Sequence, residues 1–399
     1  MLTLDRIYHA SYVLKNAVRP TDIIKCSDDV VPGVKVYLKT ENLQVTGSFK
    51  VRGAYYKISQ LTDEEKAKGV IACSAGNHAQ GVARAATKMG IKSLICIPDA
   101  APISKIEATK RLGAEVCLVK GTYDDAYAKA VELQKESGAT FIHPFDDDLV
   151  IAGQGTIGLE IINTKPDIDA VVVPVGGGGL VSGVAFAIKS LDPNIKVYGV
   201  QAEGAPSMVN SVKHGQIETL DSVHTFQDGI AVKTPGTLTY EITSKYVDDL
   251  ITVTDDECAA AILKLIERQK LVTEGAGANA FAAVMFNKIP DLQGKKVCCL
   301  LSGGNIDVTI LSRVINRGLQ MSGRLVDLTI ELIDKPGQLQ EVSDIIANMG
   351  GNVVSVAHDR ADLSSDINAC YLRISMETRN QEHADAIKNA FNERGYKII

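Results

Sequence analysis

The stretch DAVVVPVGGGGLVSGVAFAIKSL, Asp169–Leu191, joins a β-branched apolar run to four successive glycines and then to an apolar segment with helical spacing. This pattern predicts a buried strand, a turn at Gly176–Gly179 and a helix that begins at about Val181. Glycines let backbone amides converge, and the positive end of the helix dipole lies behind them. A tight turn needs only one or two glycines, so we predict that this longer run forms a phosphate-binding loop. Its spacing differs from GxGxxG, which favours a small cofactor with one phosphate over a dinucleotide.

The same alternation of strands and helices continues through residues 1–318 and predicts an α/β fold with a mostly parallel sheet covered by helices. The remaining predicted strands are VKVYLKT (Val34–Thr40), GVIACS (Gly69–Ser74), SLICIP (Ser93–Pro98), EVCLVK (Glu115–Lys120), KVYGVQ (Lys196–Gln201) and KVCCLLSGG (Lys296–Gly304). These units suffice for two lobes, with a ligand cleft at the carboxyl ends of the strands. The uncharged stretch Ala170–Ile188 is nearly as long as a membrane span, but its proline and glycines break the helix that a bilayer requires.

The pattern changes near Arg313–Arg324, which is polar and punctuated by glycine, and we predict a linker at 319–325. Residues 326–399 then follow the order strand, helix, strand, strand, helix, strand, which is the βαββαβ ferredoxin-like arrangement. A domain of this size often needs a partner to bury its sheet or helix surfaces. The chain is therefore predicted to contain a two-lobed domain, 1–318, followed by a small C-terminal domain.

The composition is typical of a globular protein, since 45% of the 399 residues are hydrophobic and 23% are charged. A net charge of −6 without a long basic run gives no electrostatic reason to expect a nucleic acid or an anionic membrane as partner. The first residues, MLTLDRIYHA, lack the basic and then apolar pattern of a signal peptide. The eight cysteines form no CxxC pair and several lie in apolar runs, which predicts reduced, mostly buried thiols in a cytoplasmic protein.

A lysine and two more turns add chemistry to the predicted cleft. In VTGSFKVRGA, Lys50 stands at the start of a predicted helix, where the helix dipole opposes a cation and favours a neutral amine. In CSAGNHAQGVARAA, the turn Ser74–Asn77 presents backbone amides suited to a carboxylate, and we interpret the adjacent His78 as a helix-face side chain rather than an acid or base. In CCLLSGGNID, Ser302 places a hydroxyl at a third strand end. A phosphate loop, a carboxylate site and a lysine amine together indicate pyridoxal phosphate, whose aldehyde forms a Schiff base with a lysine.

The segments TGSFKVRGA, SAGNHAQGVA, PVGGGGL and LSGGNID, in this order, resemble the threonine dehydratases (threonine ammonia-lyases), which are fold type II pyridoxal phosphate enzymes with the tryptophan synthase β-like fold. The resemblance covers roughly Ile7–Arg317. It implies that Lys50 forms the Schiff base and removes a proton from the substrate. The cofactor contacts that it implies are Phe49 beside the ring, Lys50, Asn77 at the ring hydroxyl, Gly176, Gly177, Gly178, Gly179 and Leu180 at the phosphate, and Ser302 at the pyridine nitrogen. The loop that it implies for the substrate carboxylate consists of Ser74, Ala75, Gly76, Asn77 and His78.

Single residues separate the relatives within this family. Threonine and cysteine synthases carry an aspartate after the lysine, where this chain has Val51, and serine racemases carry a serine where it has Ala75. The resemblance therefore implies elimination from L-threonine, giving 2-oxobutanoate and ammonia, and from L-serine, giving pyruvate, with poor racemisation. Glu203 matches a metal-binding glutamate of some relatives, but the acidic residue expected a few positions later is missing. Two rival functions stay open: a dehydratase that prefers serine or 3-hydroxyaspartate, and a non-catalytic amino-acid sensor.

The C-terminal domain resembles the ACT domain, a small ligand-sensing βαββαβ module. Its DKPGQL turn matches the loop at which such domains bind amino acids between paired copies. The regulatory residues implied are Asp334, Pro336, Gly337, Leu339 and Asn352, with isoleucine or valine as the expected effector because threonine deamination opens isoleucine biosynthesis. Pairing of such domains implies a homo-oligomer, a tetramer built as a dimer of dimers. The alternative is a domain that serves only for oligomerisation.

Overall fold

A computed structural model of the chain describes residues 1–360 and 368–399. Within them the α-helices are α1 (Leu4–Leu14), α2 (Lys50–Ser59), α3 (Asp63–Lys68), α4 (Asn77–Lys88), α5 (Ile103–Arg111), α6 (Tyr123–Ser137), α7 (Asp148–Thr164), α8 (Gly179–Leu191), α9 (Ser207–His214), α10 (Thr237–Tyr246), α11 (Asp255–Lys264), α12 (Gly275–Met285), α13 (Val308–Met321), α14 (Gln338–Asn348) and α15 (Gln381–Glu393). The strands are β1 (Ile23–Lys25), β2 (Lys35–Lys39), β3 (Val70–Cys73), β4 (Ser93–Pro98), β5 (Glu115–Val119), β6 (Thr140–Phe141), β7 (Ala170–Pro174), β8 (Lys196–Ala202), β9 (Asp249–Val253), β10 (Lys296–Leu300), β11 (Leu325–Ile333), β12 (Asn352–Asp359), β13 (Ala369–Glu377) and β14 (Lys397–Ile398). Every strand predicted from the sequence is present, with its ends within a few residues of those expected.

The chain divides into two units, Met1–Val308 and Thr309–Ile399. This division lies upstream of the linker predicted at 319–325, because α13 runs unbroken through most of the polar stretch that suggested a linker. The stretch looks polar because α13 buries only a narrow face, formed by Val314 and Gly318. Among the described residues, no helix is long and apolar enough to cross a membrane.

The first unit contains two sheets, one for each predicted lobe. The larger sheet has the order β1-β2-β10-β7-β8-β9, and within it β1 alone runs antiparallel to its neighbour. The smaller sheet has the order β5-β4-β3-β6 and is parallel throughout. Every residue of β7 is buried, as expected for a parallel strand covered on both faces. The predicted two-lobed α/β fold is confirmed.

Three strands of the first unit were not predicted from the sequence, namely β1, β6 and β9. All three lie at sheet edges, and none is fully buried. β1 has three residues and β6 has two, so neither gives a periodic signal. The sequence therefore predicts the buried interior of each sheet better than its edges.

Close packing of helices holds the lysine segment at the start of α2 and the glycine loop before α8 in place. A Cβ added at Gly153 of α7 would lie 2.6 Å from the Cα of Gly53 in α2, and one added at Gly183 of α8 would lie 2.6 Å from the amide nitrogen of Gly155 in α7. Both contacts require glycine, because such distances exclude any side chain. α2 begins at Lys50 and α8 follows the glycine loop, so α7 holds these two segments in a fixed relation.

The described residues of the second unit form a four-stranded sheet of order β12-β13-β11-β14, antiparallel throughout, together with α14 and α15. This is the predicted ferredoxin-like arrangement. Its core is apolar and includes Ile330, Leu372 and Phe391, each with no exposed surface. β12 forms one edge of the sheet, and most of its residues are exposed.

Candidate active site

Lys50 is the first residue of α2, and its side chain points into the first unit. Its Nζ donates a hydrogen bond of 2.7 Å to the carbonyl oxygen of Pro144 and lies 5.4 Å from the centre of the Phe49 ring. Burial lowers the pKa of the Lys50 amine to about 8, although the Glu274 carboxylate opposes this shift. The position therefore raises the neutral fraction of the amine, which is the form that attacks a carbonyl carbon.

The glycine loop lies beside this lysine. Gly178, with φ +96°, directly precedes α8 in the left-handed conformation, and no side chain of the described residues caps the helix. A Cβ at Gly177 would lie 2.5 Å from the Phe145 ring, and one at Gly179 would lie 2.9 Å from the Cα of Phe145. Phe145 directly follows the Pro144 carbonyl that accepts the Lys50 bond. One short segment thus packs against both the glycine loop and the amine.

These residues fit pyridoxal phosphate. An uncapped helix end preceded by glycines leaves backbone amides for a phosphate, and the close packing of the loop excludes side chains from the cradle. An amine with a lowered pKa lies next to it. The Phe49 ring, 9% exposed, supplies an apolar surface beside that amine. A phosphorylated pyridine aldehyde requires a site for its phosphate, an amine for its aldehyde and an apolar surface for its ring, and these residues supply all three.

A Gly178→Ala variant should bind pyridoxal phosphate more weakly. Its Cβ would lie 2.7 Å from the Cβ of Thr239, and φ at this position is unfavourable for alanine. The strain of the binding conformation should be about 1–3 kcal/mol. If the loop relaxes to another conformation in the cofactor-free variant, cofactor binding has to restore the strained one, and the affinity falls roughly 5- to 150-fold. Titration of the cofactor-free protein with pyridoxal phosphate measures the change. Gly90→Ala is the matched control, because Gly90 also has a positive φ but no atom within 4 Å of its added Cβ; equal losses in both variants would contradict the prediction.

Asn77 belongs to a hydrogen-bond network that the sequence does not reveal. Its Nδ2 donates to Oε1 of Glu274 at 2.6 Å, and its Oδ1 accepts from Nδ2 of Asn305 at 2.8 Å. Asn305 also donates to the carbonyl oxygen of Thr46 at 2.7 Å. These bonds hold the Asn77 side chain at the start of α4, and its contact with a cofactor ring stays a prediction. Glu274 was missed because it belongs to no motif recognisable from a single sequence, whereas Asn305 lies within the LSGGNID segment and was not singled out there.

Ser302 lies directly beside the lysine segment. Its backbone carbonyl accepts a bond of 3.1 Å from the amide of Phe49, and Ser48 forms a β-bridge with Gly303. The Ser302 hydroxyl, 3% exposed, donates to the carbonyl oxygen of Ala276 at 3.2 Å. The structure thus brings together the ends of β10 and the beginning of α2, as the constellation predicted from the sequence requires.

The turn from Ser74 to His78 joins β3 to α4 at the same place. Ser74 Oγ accepts a bond of 3.1 Å from the amide of Gly76, and Ala75 follows it without a hydroxyl. His78 is buried, and its Nε2 pairs with the carbonyl oxygen of Ile142 at 2.8 Å. Burial and the nearby Lys50 lower the pKa of His78 to about 3, so the ring is neutral. The geometry of His78 agrees with a structural role, and the binding of a substrate carboxylate at this turn stays a prediction.

Glu274 is the acidic group of the site. Burial raises its pKa to about 7, and the charge of Asp228 adds to this, whereas the Asn77 bond and the charges of Lys105 and Lys50 lower it. Only 4% of its surface is exposed. A carboxyl group with this pKa exchanges a proton near neutral pH, close to the Lys50 amine.

The raised pKa of Glu274 should make stability depend on pH. A raised pKa means that the folded protein binds the proton more tightly, so this contribution is present below about pH 4.5 and is lost as the pH rises through about 7. Cofactor-free Glu274→Gln should therefore gain stability relative to wild type between about pH 5 and about pH 8, by up to about 3 kcal/mol. Urea unfolding at both pH values measures the difference. The exposed Glu107→Gln serves as control, and a pH-independent difference for Glu274→Gln would contradict the expectation.

The residues predicted for regulation do not all lie together. Asp334, Pro336, Gly337 and Leu339 line a cavity of about 450 Å³ in the second unit. Asn352 pairs with Glu377, and Glu377 pairs with Leu325 at the start of β11, whereas Asp334 follows the end of β11. Asn352 thus lies at the opposite end of the sheet within one chain, because β12 and β11 run in the same direction on either side of β13.

Glu203 is exposed at the end of β8. Among the described residues, the one group of three or more potential metal-ligating side chains lies in the second unit and does not include Glu203. A cation at Glu203 stays a prediction without a neighbouring ligand set.

The sequence and the fold of this chain are similar to those of known pyridoxal-phosphate dependent enzymes. A family model described as "Pyridoxal-phosphate dependent enzyme" matches residues 14–303. The chain is 50% identical over 399 residues to the L-threonine ammonia-lyase of Thermotoga maritima, with 100% of this chain and 99% of that protein covered. It is similar to the solved structure of the processed threonine deaminase isoform 2 from Solanum lycopersicum, with a TM-score of 0.74, 38% identity, and 79% and 93% of the two chains covered. Maize serine racemase gives a TM-score of 0.75, 35% identity, and coverage of 80% and 98%. The Thermotoga relative extends over both units of this chain.

Proposed function

This chain belongs to the family of pyridoxal-phosphate dependent enzymes, and we propose that it converts L-threonine to 2-oxobutanoate and ammonia, and L-serine to pyruvate and ammonia. The observation that carries the proposal is the arrangement around Lys50. Its Nζ bonds to the Pro144 carbonyl, the residue after that proline packs on the glycine loop, and the Ser302 carbonyl accepts from the amide of Phe49. The full-length likeness to an L-threonine ammonia-lyase supports the choice of substrate.

Each group of the site has a part in the reaction. Pyridoxal phosphate, held by the glycine loop, Phe49, Asn77 and Ser302, would supply an electron-withdrawing ring conjugated to the substrate nitrogen. The turn beginning at Ser74 binds and orients the substrate carboxylate through its amides. Lys50 Nζ takes the proton from the substrate Cα, and the lowered pKa of its amine suits it to this task. Loss of the β-hydroxyl as water gives an enamine, which tautomerises to an imine. Hydrolysis of the imine adds one water back, releases ammonia and leaves the 2-oxoacid.

Two residues favour elimination over racemisation. Ala75 has no hydroxyl, at the position where serine racemases carry a serine, so no side chain at this position can return a proton to the opposite face of Cα. Ser302 is an uncharged partner, so it would hold a proton on the pyridine nitrogen less strongly than a carboxylate would. A weaker electron sink shortens the lifetime of the carbanion, which favours departure of the β-hydroxyl.

The test is a 2-oxoacid assay of the cofactor-loaded protein with L-threonine, L-serine and 3-hydroxyaspartate. We expect turnover of threonine and of serine, with a modest preference, because one methyl group in an apolar pocket contributes about 1–3 kcal/mol of discrimination. Turnover of 3-hydroxyaspartate alone would favour the rival dehydratase. Binding of the amino acids without turnover would favour a sensor.

We further propose that an amino acid bound at the second unit regulates this activity. The unit has the ferredoxin-like topology of the ACT domain, and the DKPGQL turn lines its cavity. The exposed edge strand β12 supports pairing between copies. Antiparallel pairing of β12 with its copy would bring Asn352 of one chain towards the Asp359 end of the other, where the cavity lies. A tetramer built as a dimer of dimers is consistent with such pairing, and the eight free cysteines are consistent with a reducing cytoplasm.

Isoleucine or valine should therefore lower threonine turnover, and Leu339→Glu should abolish the response. Leu339 is 45% exposed and lines the cavity, so the added carboxylate opposes an apolar amino-acid side chain there. Measurement of turnover against isoleucine concentration, with the exposed Leu118→Glu in the first unit as control, tests this. A response that persists in Leu339→Glu would place the effector elsewhere.

A further inference from the structure

Three side chains with metal-binding atoms converge in the second unit. Asp334 directly follows β11, His358 lies in β12, and Cys370 lies in β13, on three adjacent strands of the sheet. Their ligand atoms all lie within 4.8 Å of one another, and Nε2 of His358 lies 2.9 Å from Sγ of Cys370. All three residues line the cavity of about 450 Å³.

We propose that Asp334, His358 and Cys370 form a binding site for a divalent transition-metal ion of the zinc class. Carboxylate oxygen, imidazole nitrogen and thiolate sulfur are the ligand types that Zn²⁺ takes, at bond lengths of about 2.0–2.3 Å. In a tetrahedral site these lengths put ligand atoms about 3.4–3.6 Å apart. The separations between the ligand atoms here lie around that value, from 2.9 Å between His358 Nε2 and Cys370 Sγ to no more than 4.8 Å. Asp334 and His358 are exposed, so small side-chain rotations complete the geometry around the buried Cys370.

Arg360 orients the carboxylate of this site. Its Nη2 donates to Oδ1 of Asp334 at 3.0 Å, and its Nε lies 3.0 Å from Oδ2. Each carboxylate oxygen has a second lone pair, so Asp334 can bind an ion and keep this paired contact. Outer contacts of this kind fix a ligand's orientation in many metal sites.

A three-ligand set leaves the fourth position of a tetrahedral ion to a water molecule or a small ligand. The cavity provides the room for it on the side of the Asp334–Leu339 turn. The metal site does not depend on the proposed amino-acid effector, because it rests on protein ligands alone and is tested without amino acids.

The test is zinc and cobalt binding to the full-length, cofactor-loaded protein after removal of metals by chelation. Competition with a chromophoric chelator measures the zinc affinity of wild type, His358→Gln and Cys370→Ser. Cys117→Ser and His214→Gln, which lie in the first unit, are the matched controls. We expect one ion per chain in wild type and in both controls, with affinity reduced at least about 10- to 100-fold in each ligand variant. His358 is exposed, so its replacement tests the site even if Cys370→Ser impairs folding.

Cobalt gives an independent readout. A cobalt ion bound by Cys370 should produce a sulfur-to-metal charge-transfer band in the difference spectrum, and the Cys370→Ser variant should lack it. Wild-type protein that binds zinc no better than His358→Gln, or a cobalt spectrum without that band, would overturn the proposal.

Discussion

Replacement of Lys50 by alanine is expected to reduce L-threonine turnover by at least about 10²–10⁴-fold, the range that a single positioned acid–base group contributes. Lys50 Nζ is the amine placed beside the glycine loop by its bond to Pro144, and its pKa of about 8 gives it the basicity to accept a proton from the substrate Cα. The loss should fall on kcat rather than on KM, because the amine acts in the chemical step. Production of 2-oxobutanoate by cofactor-saturated protein measures it.

Lys66→Ala is the control for this variant, since Lys66 lies on the surface in α3 and pairs only weakly with Asp63, at 3.4 Å. Its turnover should equal that of wild type. If Lys50→Ala retained turnover within tenfold of wild type while folding normally, another group would have to perform the proton transfer.

Replacement of Arg52 by methionine is expected to cost about 3–5 kcal/mol of unfolding free energy, the loss typical of breaking a buried ion pair from one side. Arg52 has no exposed surface and donates to both oxygens of Glu41, at 2.7 and 2.8 Å, and to Glu160 at 2.5 and 2.9 Å. Burial by itself would raise the pKa of Glu41, but Arg52 reverses this and holds it below its usual value. The variant leaves the Glu41 carboxylate buried with much of its charge uncompensated.

The consequence should reach the active site, because Arg52 lies in the first turn of α2, two residues after Lys50. Urea unfolding measures the stability, and cofactor titration measures the effect on the site.

Because the folded pKa of Glu41 is lowered, its contribution to stability is present above the unfolded value of 4.5 and is lost as the pH falls below it. The deficit of Arg52→Met should therefore shrink in acid.

Two further variants separate the effect of the buried ion pair from that of removing an arginine. The double variant Glu41→Gln with Arg52→Met removes both charges and should recover part of the loss. Arg268→Met breaks a pair with Asp29 in which both side chains are more than half exposed, and it should cost less than about 1 kcal/mol. A cost for Arg52→Met no greater than that for Arg268→Met would contradict a stabilising role for the buried network.

The sequence predicts those parts of this molecule that local chemistry dictates. The glycine run and the apolar strand before it identify the phosphate loop, because conformations such as that of Gly178 at φ +96° favour glycine. The alternation of apolar segments yields both the two-lobed fold and the βαββαβ order. Lys50 is conspicuous because a cation is unfavourable at a helix start.

The parts that depend on contacts distant in sequence could not be predicted. Glu274 reaches Asn77 across almost two hundred residues, and no local pattern marks it. Arg52 and Glu160 look like ordinary surface charges on helices until α7 packs against α2. Asn352 follows a glycine at the start of a strand, so the sequence cannot show that this strand places it at the far end of the sheet from the Asp334 turn.

The site of covalent cofactor attachment shows directly which lysine forms the Schiff base. Protein loaded with pyridoxal phosphate is reduced with borohydride, digested and mapped by mass spectrometry, with Lys50→Ala treated in parallel. The geometry around Pro144, Phe49 and the glycine loop predicts a phosphopyridoxyl group on Lys50 and none in the variant. Labelling of another lysine, or equal labelling of the variant, would show that Lys50 is not the attachment residue.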